Sequence, residues 1–172
     1  VRVYFVENHD LPMLDIRVEF GAGSAMDTRE KSGNANLTRH LLSLGAGGLS
    51  EDQIAKALAD VGAQLGSHFD RDRAGLSLRT LSSERERKQA LDVFSRLIQY
   101  PEFPEDILVR EQTRIAAGIR EASTKPDYIA EHMLMKMLYG DHSYGLSDTG
   151  EIDTLNALRR NDLVTFYKTY YT

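Results

Sequence analysis

The stretch Ser32-Gly33-Asn34-Ala35-Asn36-Leu37-Thr38-Arg39-His40-Leu41-Leu42 decides how the rest of this 172-residue chain is read. It lies in a segment whose pattern predicts a helix from about Gly33 to Leu44, stopped by Gly45-Ala46-Gly47-Gly48. The glycine stretch reads as a helix stop and not as a phosphate cradle, because no Lys-Ser/Thr pair follows it as a P-loop requires.

Working outward, Met13 to Phe20 places Leu14, Ile16, Val18 and Phe20 on one face of a strand that ends in Gly21-Ala22-Gly23-Ser24. Upstream, Val1, Val3 and Phe5 alternate with Arg2 and Tyr4, and Asn8-His9-Asp10 supplies turn chemistry. The two runs are expected to form an antiparallel pair with one buried face. Downstream, Ser50-Glu51-Asp52-Gln53 is a capping-box start for a second helix that carries Ile54, Leu58 and Val61. Gln64 to Phe69 and Gly75 to Leu81 read as a hairpin around Asp70-Arg71-Asp72-Arg73.

Helices follow. One begins at Ser82-Ser83-Glu84 with Leu91, Phe94, Leu97 and Ile98 on its apolar side, and ends at Tyr100-Pro101. A long one starts at Pro104-Glu105-Asp106 with Ile107, Leu108, Ile115 and Ile119 inward. A third runs from about Pro126 to Tyr139, where the stripe of Ile129, Met133, Met137 and Leu138 reads as core packing. The last is expected near Asn161 to Tyr170, capped by Asn161 or Asp162. Two strands, two helices, two strands and then helices is the segregated order of an α+β fold, an antiparallel sheet covered on one side by helices.

Composition narrows the function classes. With 41% apolar and 27% charged residues the chain can build a core, and its length suits a single domain, residues 1–172. The net charge of -5 is spread among interspersed acids and bases, with no basic run to track a phosphate backbone, so no nucleic-acid partner is expected. The absence of cysteine removes disulfides, thiolate zinc sites and a thiol nucleophile. No apolar run reaches the ~18 residues of a membrane span. Both ends fall in or beside regular patterning, so a fragment of a longer chain is expected.

The Ser32–Leu42 stretch resembles the helix of the inverted zinc peptidases, the pitrilysin/insulinase family, in which H-x-x-E-H follows a Gly-x-Ala lead-in and precedes an apolar pair. Other segments agree in order. They are Gly21 to Asp27, Ala63 to Leu65, Tyr100 to Pro104 and Ile107 to Pro126, and then Tyr139-Gly140-Asp141-His142-Ser143-Tyr144-Gly145, which is similar to the family's Y-G-x-H-P-Y-G loop. The resemblance implies a two-layer processing-peptidase-like sandwich, with zinc as the cofactor of active relatives.

It also implies that the site has decayed. In a working member two His side chains one turn apart bind Zn²⁺ and the Glu beside the second is the general base. By position Asn36 stands for the first His, Arg39 for the base, and His40 remains. An amide oxygen is a poor zinc ligand, and a guanidinium neither accepts a proton nor tolerates a neighbouring dication. The third ligand, a Glu seven residues after the Glu matched by Glu111, falls on Gly118, with Glu121 a weak substitute one turn on. His9, His68, His132 and His142 are scattered, with no second His at helical spacing. The domain is therefore expected to bind no metal or cofactor and to have no catalytic residue.

The leading functional expectation is a non-catalytic homologue that helps enclose peptide substrate for an active H-x-x-E-H subunit or second homologous domain, with an envelope or periplasmic location. One alternative is part of an active zinc endopeptidase whose signature lies elsewhere in the parent chain. A structural core subunit of a membrane complex is another. Surfaces meant for the other half would leave the fragment prone to self-association.

Overall fold

The computed structural model describes all residues, 1–172. Strand β1 (Met13–Phe20) is followed, after two single 3₁₀ turns, by helix α1 (Asn34–Leu41), the two-residue strands β2 (Gly45–Ala46) and β3 (Leu49–Ser50), and helix α2 (Glu51–Ala59). Strands β4 (Gln64–Phe69) and β5 (Ala74–Leu81) come next. The remainder is helical: α3 (Glu84–Gln99), α4 (Glu105–Ala122), α5 (Pro126–Tyr139), α6 (Ile152–Ala157) and α7 (Arg160–Tyr170).

The main sheet is antiparallel, in the order β1-β5-β4. Its alternation sorts the faces. Leu76, Leu78 and Thr80 of β5 are buried, while Asp15 and Arg79, directly opposite each other in the β1–β5 register, form an ion pair on the solvent side. Helices cover the apolar face, and one core joins Leu37, Leu41 and Leu42 of α1 to Leu78, Phe94, Leu97, Leu155 and Leu163. The α+β two-layer architecture follows from that packing.

Helix α1 is fixed at its start by two devices. Gly33, its N-cap, adopts φ +94°, and a Cβ there would lie 2.9 Å from the Thr149 carbonyl oxygen, so conformation and space both require glycine. The buried Asp27 carboxylate accepts hydrogen bonds from the Gly33 and Ala35 N–H groups, each at 2.9 Å, satisfying donors that a helix start leaves unpaired. The helix ends at Leu41, three residues before the expected Leu44. The glycines that follow do more than stop it. Gly47 and Gly48 take φ +57° and +81° and turn the chain between β2 and β3, the backbone twist that a two-residue hairpin demands.

Two expectations are corrected. Val1–Val6 forms no strand and pairs with nothing; Val3 and Phe5 are 83% and 81% exposed. Period-two alternation tells which side chains share a face, but it does not supply a neighbouring strand, and no strand of this chain lies beside them. Helix α5 forms over its expected span yet contains no buried residue, and Met133 and Met137 are 58% and 83% exposed. Its Met stripe is thus surface and not core, because the main packing of α5 is against the 3₁₀ turn Ser143–Gly145 and nothing in the chain covers the stripe. The short α6 was not foreseen; at six residues it is too brief to show a helical period.

Asp27→Ala should cost about 2 to 4 kcal/mol, because two buried N–H groups lose their acceptor. Chemical denaturation of the two proteins measures this, with a lowered midpoint at unchanged slope as the expected result.

Candidate functional site

Helical periodicity puts Asn36, Arg39 and His40 on one face of α1, and the fold turns that face toward β4 and α4. The Arg39 guanidinium is held by neutral groups. One Nη donates to Asn36 Oδ1 at 2.9 Å, the other to Ser67 Oγ of β4 at 2.9 Å, and its central carbon lies 5.6 Å from the Phe69 ring centroid. Its Nε is buried without a partner, and no carboxylate lies within ion-pair distance of it. Burial pulls the Arg39 pKa down, the Tyr171 hydroxyl opposes this, and Arg114 adds to it.

Toward α4, His40 Nε2 lies 2.8 Å from Glu111 Oε2 and 2.9 Å from an Nη of Arg114. The Glu111 side chain is only 6% exposed, and it also accepts from Arg114 Nε at 2.6 Å and from Arg110 Nε at 3.0 Å. Arg110 in turn pairs with Glu51 at 2.7 Å. Burial alone would raise the Glu111 pKa, but the hydrogen bonds from Arg114, His40 and Arg110 outweigh it and hold the carboxyl at about 2. Burial lowers the His40 pKa despite the opposing bond to Glu111.

Gly118 follows Glu111 by two turns, ~10 Å along α4, on the stripe that also carries Arg114. It is exposed, and a Cβ built there meets nothing within 4 Å. Glu121 is exposed and engaged with Lys125 at 2.8 Å, away from His40. The remaining histidines stay apart: His9 contacts Glu7, His68 contacts Asp70, His132 lies 3.6 Å from Glu151, and His142 Nδ1 accepts from the Tyr144 N–H. No three His, Asp or Glu side chains converge.

The donor set does not fit zinc. The Asn36 oxygen is engaged by a guanidinium, the Nε2 edge of His40 faces a second guanidinium, and position 118 offers no donor. Two cations where a dication would sit make the arrangement electrostatically opposed to metal, beyond lacking ligands. Sequence reasoning named Asn36, Arg39, His40, Glu111 and Gly118. It missed Ser67, Phe69, Arg110 and Arg114. The Glu111–Arg114 pair has legible i, i+3 spacing, but its reach to a histidine 74 residues away does not.

A family model described as Insulinase (Peptidase family M16) matches residues 2–150. Among curated proteins, the chain is 26% identical to the uncharacterized zinc protease YmxG of Bacillus subtilis, covering 100% of this chain and 42% of that one. It is 23% identical to the non-peptidase homolog YmxG of Helicobacter pylori, covering 95% and 37%. Among solved structures, a peptidase M16 inactive domain from Pseudomonas fluorescens superposes with TM-score 0.90 at 35% identity, over 94% of this chain and 39% of that one. Pitrilysin, at 18% identity, shares the fold with TM-score 0.75, over 93% and 17%. The chain therefore spans less than half the length of these relatives. With a family match over most of its residues, on the helix-covered sheet described above, the chain belongs to the insulinase family, peptidase family M16.

Proposed function

We propose that this chain is the non-catalytic half of a larger M16 assembly, a single domain of a longer protein that helps enclose peptide substrate beside a second homologous domain or an active H-x-x-E-H subunit. The observation that carries the reading is the guanidinium of Arg39 at the base position, hydrogen-bonded to Asn36 at the first ligand position. A permanently protonated group cannot activate water, and it occupies the one acceptor that Asn36 could offer a metal. The inactive-domain relative from Pseudomonas fluorescens is consistent with this reading. A second reading, an active zinc endopeptidase whose signature lies elsewhere in the parent chain, draws on the Bacillus subtilis relative, named a zinc protease, of which this chain covers only 42%. An intact H-x-x-E-H in the parent chain would favour the second reading.

Exposed apolar surface supports a covering partner. The outer side of α5 and the Val1–Val6 segment lack cover within the chain. The isolated domain is accordingly expected to self-associate. Light scattering over a concentration series tests this, and a constant monomer mass would count against a covering partner.

Elemental analysis after dialysis should find no stoichiometric zinc in the purified domain, and peptide cleavage should be absent. About one zinc per chain, lost in His40→Ala, would overturn the reading. The combined change Asn36→His, Arg39→Glu and Gly118→Glu supplies the missing donors, and the open space at Gly118 admits the longer side chain. Zinc binding by this folded variant is expected, weakened ~10- to 100-fold if supporting residues such as Arg114 still oppose the ion. No binding at high micromolar zinc would refute the assignment of these positions.

Glu111, in this reading, has a structural role as counter-ion. Its folded pKa of about 2 lies below the unfolded value near 4.3, so the unfolded chain binds the proton more tightly. The stabilisation, about 3 kcal/mol, is fully present above roughly pH 5 and is lost as pH falls toward 2. Glu111→Gln should lower stability at pH 7 and flatten the acid limb of a stability–pH profile. An unchanged limb would mean that other carboxylates govern it.

A further inference from the structure

Arg39 carries more binding capacity than the domain uses. A guanidinium has five N–H donors. Two are engaged, by Asn36 and Ser67, and both acceptors are uncharged. One, on Nε, is buried and unsatisfied. The other two, one on each Nη, remain, and their fork spacing matches the two oxygens of a carboxylate. Asn36 Nδ2, beside them, makes no hydrogen bond within the chain and is a further donor.

The surroundings favour an anion. A half-buried cation without a counter-ion is costly, and Arg39 has none. The nearby charges are three guanidiniums, Arg39, Arg110 and Arg114, against two carboxylates, Glu51 and Glu111. His40 aside, one positive charge is left over on a chain whose net charge is -5. The surplus belongs to Arg39, because Glu111 and Glu51 are already engaged by the other two. The Tyr171 hydroxyl is a second buried polar group without a partner. The strand that carries Ser67 and Phe69, β4, is an edge strand with no further strand beyond it.

We propose that the degenerate metal site is a carboxylate-recognition site, in which the free fork of Arg39, assisted by the Asn36 amide, binds a carboxylate of a peptide held against this half. The inference rests on the peptide-enclosing reading for the identity of its ligand. The replacement at the base position then inverts the chemistry of the site. A centre built around a cation and a water becomes an anion clamp, which selects or orients peptide and cleaves nothing.

The test uses the full-length protein and three labelled peptides of one neutral sequence: one with a free C-terminus, one amidated, and one amidated with a single internal Glu. Fluorescence anisotropy at low salt gives their affinities. At least tenfold tighter binding of a carboxylate-bearing peptide than of the plain amide is expected, and the peptide that gains affinity identifies the C-terminus or a side chain as the source. Arg39→Gln should bring the affinity of the carboxylate-bearing peptide down to that of the plain amide. Arg39→Lys, which keeps charge but not the fork, should retain only a small part of it. Equal affinities for all three peptides, or an equal loss for all three in Arg39→Gln, overturns the proposal.

If no peptide binds, the enclosing role fails, and succinate then tests the clamp by itself. Protection against thermal unfolding at millimolar succinate, absent in Arg39→Gln and not reproduced by chloride at equal ionic strength, supports a carboxylate site. No protection of the wild type by succinate overturns it. Circular dichroism of each variant confirms that the fold is intact.

Discussion

A carboxylate almost out of contact with water, Glu111, holds together the two helices on which the site is built. It sits on α4, accepts hydrogen bonds from Arg110 and Arg114 of the same helix, and meets His40 of α1 across the interface. A buried charge is tolerated only when paired and hydrogen-bonded, so these partners are what allow Glu111 to lie where it does. The geometry of α1 relative to α4 depends on that closure. Gln112, the next residue, reinforces it by donating to the Leu155 and Leu158 carbonyls, which ties α4 to the C-terminal helices.

The same cluster explains why the site has the electrostatics it has. Once Glu111 is committed to two arginines and a histidine, no carboxylate remains for Arg39, whose partners are an amide, a hydroxyl and an aromatic face. In the active-family arrangement implied by the resemblance, this face of α1 would present a base and two imidazoles to a dication. Here it presents the guanidiniums of Arg39 and Arg114 on either side of His40. The side chains at these positions thus bond to one another and to their neighbours, Arg39 to Asn36 and Arg114 to His40.

Surface and core divide along similar lines. Helices α1, α3 and α7 spend their apolar residues within the chain, whereas α5 leaves its apolar side in solvent and Val1–Val6 is unpaired. Such exposure is unusual for a self-sufficient domain and usual for one that meets a partner. It agrees with relatives more than twice as long as this chain, such as the two bacterial YmxG proteins.

Much of the fold is legible in the sequence, because strand and helix periods are local. Met13–Phe20, the capping box at Ser50 and Gln53, and the hairpin of β4 and β5 form where their patterns put them. The chemistry of the site is legible for the same reason, since whether residue 36 or 39 can ligate zinc is a property of the side chain alone. Tertiary structure decided what no local pattern contains. The alternation of Val1–Val6 could not tell that no strand lies alongside, nor could the spacing of Met133 and Met137 tell that nothing packs on α5. The contacts of Arg114 with His40 and of Arg39 with Ser67 join residues 74 and 28 positions apart. Burial and pairing depend on which other elements arrive at a surface, whereas side-chain identity and backbone period do not. The sequence by itself therefore determined which side chains stand at positions 36, 39, 40 and 118, and only the packed structure decided that Arg39 meets Asn36, Ser67 and Phe69 with no carboxylate beside it.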